Sequence, residues 1–120
     1  MSSDILLKLF EQSINDDNTN GDFTLYFEFN DQGISYKVNS FIFEDDHFDY
    51  IIDECGDNVI FFKIDCNSSK EICIEMIRYL HFGTISSNIN KTTLKALHEI
   101  SEQYKFKLED ICLKTILEKY

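Results

Sequence analysis

The run Phe23-Thr24-Leu25-Tyr26-Phe27-Glu28-Phe29 alternates large apolar residues with residues of other character, and Ile34, Tyr36 and Val38 repeat the alternation a few positions on. A period of two puts every second side chain on one face of an extended strand, which a helix cannot do. Asn30-Asp31-Gln32-Gly33 between the two runs is turn chemistry. The spacing therefore predicts a hairpin with one Phe-rich face. A lone hairpin is marginal in water, so the rest of the chain must cover that face.

Helical spacing supplies the cover. Near the start, Ile5, Leu6, Leu9, Phe10 and Ile14 form one apolar stripe after a cap at Ser3 or Asp4, on a helix ending about Ser13 to Asn15. The polar stretch through Asn20-Gly21 is a connector. Ser68-Ser69-Lys70-Glu71 fits the capping box, with Cys73, Met76, Ile77 and Leu80 spaced along one face behind it. Gly83, one of only four glycines, ends that helix. Two further helices are expected, one from Thr92 or Thr93 with Leu94, Leu97, Ser101 and Tyr104, the other with Leu108, Ile111, Cys112 and Ile116. Val59 to Ile64 is a continuous apolar and β-branched run and predicts a third strand covered on both faces or nearly so. Between the hairpin and that strand, Phe41, Ile42, Phe48, Ile51 and Ile52 are spaced for two short helical pieces.

This order predicts an α+β fold in which a small, mainly three-stranded sheet with a hairpin packs against a cluster of helices. The whole chain, 1–120, is read as a single domain, with helix and connector in 1–20 and the core in 21–120. Phe23, Leu25, Phe27, Val38, Phe62, Met76, Ile77, Leu80, Leu97 and Tyr104 are the expected core.

An apolar fraction of 43% with eleven Phe argues for a packed globular protein. A formal charge of -11 would repel phosphate backbones, so no nucleic-acid partner is expected. Without a basic flank or a long apolar span, no membrane partner is expected either. A cytoplasmic location is anticipated, with the nucleus also open. Cys55, Cys66, Cys73 and Cys112 contain no Cys-x-x-Cys, and His47, His81 and His98 lie in unrelated contexts, so no metal and no cofactor is assigned. The acidic run Glu44 to Asp49 reads as a solvated face. Cys112 beside His98 would be the candidate for thiol chemistry, but Cys112 falls on an apolar stripe and no catalytic residues are assigned.

Several segments in order resemble the BTB/POZ domain family. The segment Arg78 to Ile85, with His81-Phe82-Gly83, resembles the place where a helix of that family ends at a short tripeptide. Gly21 to Phe48 resembles the family's opening hairpin, with Asp22 and Phe48 at its characteristic acid and aromatic. Ser101, Tyr104, Leu108 and Cys112 match its Ala-x-x-Tyr helix pair. The first helix resembles the N-terminal dimerisation helix of the longer subtype. Lys37-Val38, Phe41 and Asp45 depart from the family's His-Lys, Leu and Ser, which weakens the expectation of the charged-pocket corepressor function of some members.

The resemblance implies a non-catalytic interaction module that homodimerises through Ile5, Leu6, Leu9, Phe10 and Ile14. It also implies an adaptor or competitor role for a cullin-3-type ubiquitin ligase. Ile52-Asp53-Glu54 resembles the family's cullin-contact motif, with Tyr50 beside it. The chain is then either a BTB-only competitor or one module of a longer protein. A monomeric adaptor similar to elongin C and a BTB-mediated scaffold for transcription regulators are the alternatives within this class. A small thiol or metal enzyme is the alternative outside it.

Overall fold

The structure, a computed structural model, describes residues 3–15, 21–39, 59–104 and 108–119. The described elements are α1 (Ser3–Ile14), β1 (Phe23–Glu28), β2 (Gly33–Val38), β3 (Val59–Lys63), α2 (Lys70–Phe82), α3 (Lys91–Tyr104) and α4 (Leu108–Lys119). They form a small α+β fold with a three-stranded mixed sheet in the order β2-β1-β3. The two helical pieces expected between Phe41 and Ile52 lie outside the described residues.

β1 is the central strand. It pairs antiparallel with β2, Phe23 opposite Val38 and Leu25 opposite Tyr36, and parallel with β3, Leu25 beside Ile60 and Phe27 beside Phe62. Pairing in this register brings the alternate apolar residues of all three strands to one face. Phe23, Leu25, Phe27, Tyr36, Val38, Ile60 and Phe62 are all buried there. The hairpin closes with Phe29 N–H donating to Gln32 O at 2.9 Å. A Cβ on Gly33 would meet the Tyr26 hydroxyl at 1.9 Å, so that glycine makes room for the phenol lying over it.

The third strand departs from expectation. Its apolar run predicted burial on both faces, yet Phe61 is 64% exposed while Ile60 and Phe62 are buried. The strand lies at the sheet edge and has only its inner face packed, so its outer face is left to Phe61 and Lys63. Tyr26 of β1 meets the Phe61 ring at 5.3 Å, which covers part of it.

α2 is buried well beyond its expected stripe. Besides Cys73, Met76, Ile77 and Leu80, the residues Ile72, Glu75, Tyr79 and His81 are buried, which makes α2 an interior helix. Gly83 ends it in the left-handed region at φ 72° and ψ 14°, its N–H donating to Tyr79 O at 2.7 Å. This helix stops where the only residue without a Cβ penalty allows the reversal.

Two caps fall elsewhere than the local pattern implied. Ser68 does not close a box with Glu71: its N–H and hydroxyl donate to the two carboxylate oxygens of Asp31, at 2.6 and 2.8 Å. Glu71 instead accepts from Asn90 Nδ2 at 2.6 Å and Thr93 Oγ1 at 3.1 Å. Asn90 is the cap of α3, its Oδ1 accepting from Thr93 N–H at 2.8 Å, so the helix starts one to two residues before the expected threonines. Ser3 and Asp4 stand in the first turn of α1, where the carboxylate of Asp4 suits the positive end of the helix.

The expected core residues are buried, apart from Tyr104, whose side chain is outside the description. The alternation along β3 gives a direct test. Phe62→Ala should cost about 3 to 5 kcal/mol in urea unfolding, while the neighbouring Phe61→Ala should cost under about 1 kcal/mol.

Candidate interaction surface

Its own chain takes up most of the apolar stripe on α1. Phe10 is 3% exposed, and its ring meets Phe82 at 5.5 Å and His81 at 5.8 Å, both edge to face. The Arg78 guanidinium lies over the same ring, 4.8 Å from its centroid. Aromatic pairs contribute about 0.5 to 1.5 kcal/mol each beyond burial, and an exposed cation over a ring about 0.5 to 1 kcal/mol. Ser13 is buried, its hydroxyl donating to Leu9 O at 2.9 Å, and Ile14 packs beside the core.

What α1 presents outward is different. Ile5 is 53% exposed, with Leu6 and Leu9 half-buried between it and the seat of Phe10, and Leu7 is 46% exposed on the other flank. The five residues expected at a partner interface therefore divide into Phe10 and Ile14, packed against their own core, Ile5 in solvent, and Leu6 and Leu9 at the margin. Leu7 was missed because it lies off the stripe, on the flank beyond Phe10. Tyr50, Ile52 and Glu54, the expected cullin contact, lie outside the described residues, as does the acidic run Glu44 to Asp49.

Arg78 links this seat to the end of α2. Its Nε donates to Glu75 Oε2 at 3.4 Å, and Glu75 Oε1 accepts from Ser86 N–H at 2.6 Å. Glu75 is 7% exposed, so it is a buried carboxylate whose partners are a guanidinium and a backbone amide. It lines a cleft of about 220 Å³ with Glu71, Asn88, Asn90 and Thr93. The hydrogen bonds to Glu71 and Glu75 already described tie the walls of that cleft together. No sequence pattern separated buried Glu75 from the solvated acids; only its place on the inner side of α2 does.

The three described cysteines, Cys66, Cys73 and Cys112, are placed for packing. Burial pushes the Cys73 and Cys112 thiols up to about 12, with a hydrogen bond from Tyr36 opposing the shift at Cys73. Burial and the acids around it also raise the half-buried Cys66. All three shifts oppose nucleophilic activation. His98, the partner considered for Cys112, lies 3.4 Å from Glu102 on its own helix. Among the described residues, no three His, Cys, Asp or Glu side chains group as metal ligands, and no helix is long and apolar enough to cross a membrane.

Comparison of the chain with protein-family models and with curated proteins finds no match in either.

Thiol labelling tests this placement. Native protein treated with iodoacetamide at mildly alkaline pH should leave Cys73 and Cys112 unmodified in peptide mass spectra, and both should react once denaturant is added.

Proposed function

We propose that the chain is a non-catalytic protein-interaction module of the BTB/POZ type that homodimerises and serves as an adaptor or competitor for a cullin-3-type ubiquitin ligase, in the cytoplasm or nucleus. The observation that carries this reading is the two-sided character of α1. Phe10 anchors the helix to its own domain, while Ile5 and Leu7 stand in solvent on the two flanks of the packed stripe. A short helix that is pinned in place and still shows large aliphatic side chains suits a partner surface better than a solvated one. The element order supports the same reading, since one helix, a hairpin, a third strand and three helices follow the arrangement that the resemblance implies.

The burial of Phe10 and Ile14 in their own chain favours a second reading, the monomeric adaptor similar to elongin C. The two differ in solution mass. Light scattering at micromolar concentration should give a dimer. Ile5→Glu combined with Leu7→Glu should give a monomer with unchanged thermal unfolding, because both side chains are exposed in the single chain. A wild-type monomer across that range would select the second reading.

The ligase role has its own test. Calorimetric titration with a cullin N-terminal domain should show binding that Ile52→Ala weakens by about ten- to a hundred-fold, about 1 to 3 kcal/mol, with a smaller loss for Glu54→Ala. Absence of wild-type binding at tens of micromolar would leave an interaction module without that role.

A further inference from the structure

His81 sits at the centre of the contact between α1 and α2. It is 3% exposed, with Nδ1 2.9 Å from Ile77 O and no hydrogen-bond partner at Nε2 among the described residues. A carbonyl oxygen only accepts, so Nδ1 carries the proton and Nε2 points a bare lone pair into an enclosure. The Phe10 and Phe82 rings lie at 5.8 and 6.2 Å from the imidazole. Buried polar atoms are rarely left without partners, and one at a helix-docking contact calls for an explanation.

A neutral imidazole fits this enclosure and an imidazolium does not. Protonation at Nε2 would create a buried N–H with no acceptor, close to a second cation, since Arg78 lies over the same Phe10 ring. Among the described residues, the other charged groups offer no compensation. Glu75 on α2 is taken by Ser86 and Arg78. On α1, Asp4, Lys8 and Glu11 are exposed, and the residues one turn from Phe10, namely Leu6, Leu7, Ser13 and Ile14, are uncharged. Lys37 of β2 is exposed, as are Lys91, Lys95, Glu99 and Glu102 of α3, where half-buried His98 faces Glu102. On α4, Asp110, Lys114, Glu118 and Lys119 are exposed as well.

We propose that His81 makes the seat of α1 an acid-sensitive latch, closed while the imidazole is neutral and opened when Nε2 takes up a proton. The latch is a contact within one chain, so it stands whether or not the adaptor reading holds. Burial holds the docked imidazole below the ordinary histidine range, and the bond from Nδ1 to Ile77 opposes this only in part. The docked state therefore binds fewer protons than the open state. Docking is at full strength above the ordinary histidine value of about 6.5, weakens as pH falls through it, and stops weakening below the depressed value. Within that window the opening constant rises by up to about tenfold per pH unit.

Hydrogen exchange of the whole chain at about pH 7.5 and about pH 5.5, above the range in which ordinary carboxylates protonate, reads the latch directly. After correction for intrinsic exchange, the amides of α1 should exchange up to about tenfold faster at the lower pH, more than those in the middle of α2. His81→Phe should abolish the difference. The effect should be the same at two well-separated protein concentrations, because opening is unimolecular whereas dissociation of a dimer is not. Equal protection of α1 at both pH values, or an acid response undiminished in His81→Phe, overturns the proposal. If that variant does not fold, the imidazole nitrogen shifts of the wild type decide. Titration of Nε2 below the ordinary value supports the latch, and titration at or above it refutes it.

Discussion

Phe27 joins the parts of this fold that lie far apart in the chain. Its ring stacks on Phe62 of β3 at 5.1 Å and meets Tyr36 of β2 edge to face at 6.0 Å, and the side chain is fully buried. One residue thus holds the hairpin and the parallel third strand to a common inner face. The parallel pairing has no tight turn to enforce its register, because parallel strands are connected by a long crossover. The side chains on the inner face must set that register, and α2 closes over them.

An acidic chain also uses particular acids as structural acceptors. Asp31 binds the hydroxyl and backbone amide of Ser68, which holds its carboxyl below the ordinary range and ties the hairpin loop to the segment before α2. Glu71 ties α2 to the cap of α3, and Glu75 ties α2 to the segment after Gly83. Each side chain accepts hydrogen bonds from neutral or cationic donors, so much of the connecting structure around α2 is fastened by carboxyl acceptors. The acids outnumber the basic residues by twenty-two to eleven, so the chain as a whole carries a formal charge of -11.

α1 combines a packed seat with exposed aliphatic side chains. Its seat is aromatic and cationic, built from Phe10, Phe82, His81 and Arg78, while Ile5 and Leu7 extend away from it into solvent. The same twelve residues therefore serve one packing requirement and still leave two large aliphatic side chains exposed. Phe10→Glu would damage the chain's own core, whereas changes at Ile5 and Leu7 address the outward face alone. The histidine within the seat adds a proton-dependent element to a contact otherwise made of aromatic rings and the Arg78 guanidinium.

Periodicity by itself determined the hairpin, its inner face, the α2 stripe, and the stop at Gly83, because each depends on steric rules acting over a few residues. The same is true of the approximate extents of α1, α3 and α4. Local pattern did not decide what each element faces. The Val59–Ile64 run reads as doubly covered, yet its edge position leaves Phe61 in solvent. Ser68 and Glu71 have the spacing of a capping box, but Asp31 and Asn90, distant in sequence, supply better partners, and a hydrogen-bond donor can be satisfied by whichever acceptor folding brings closest. The stripe on α1 announces an apolar face without saying whether its own core or another molecule meets it. Tertiary structure placed Phe10 inside, against His81, and left Ile5 and Leu7 outside, because burial is a property of the assembled core and not of a helix taken alone.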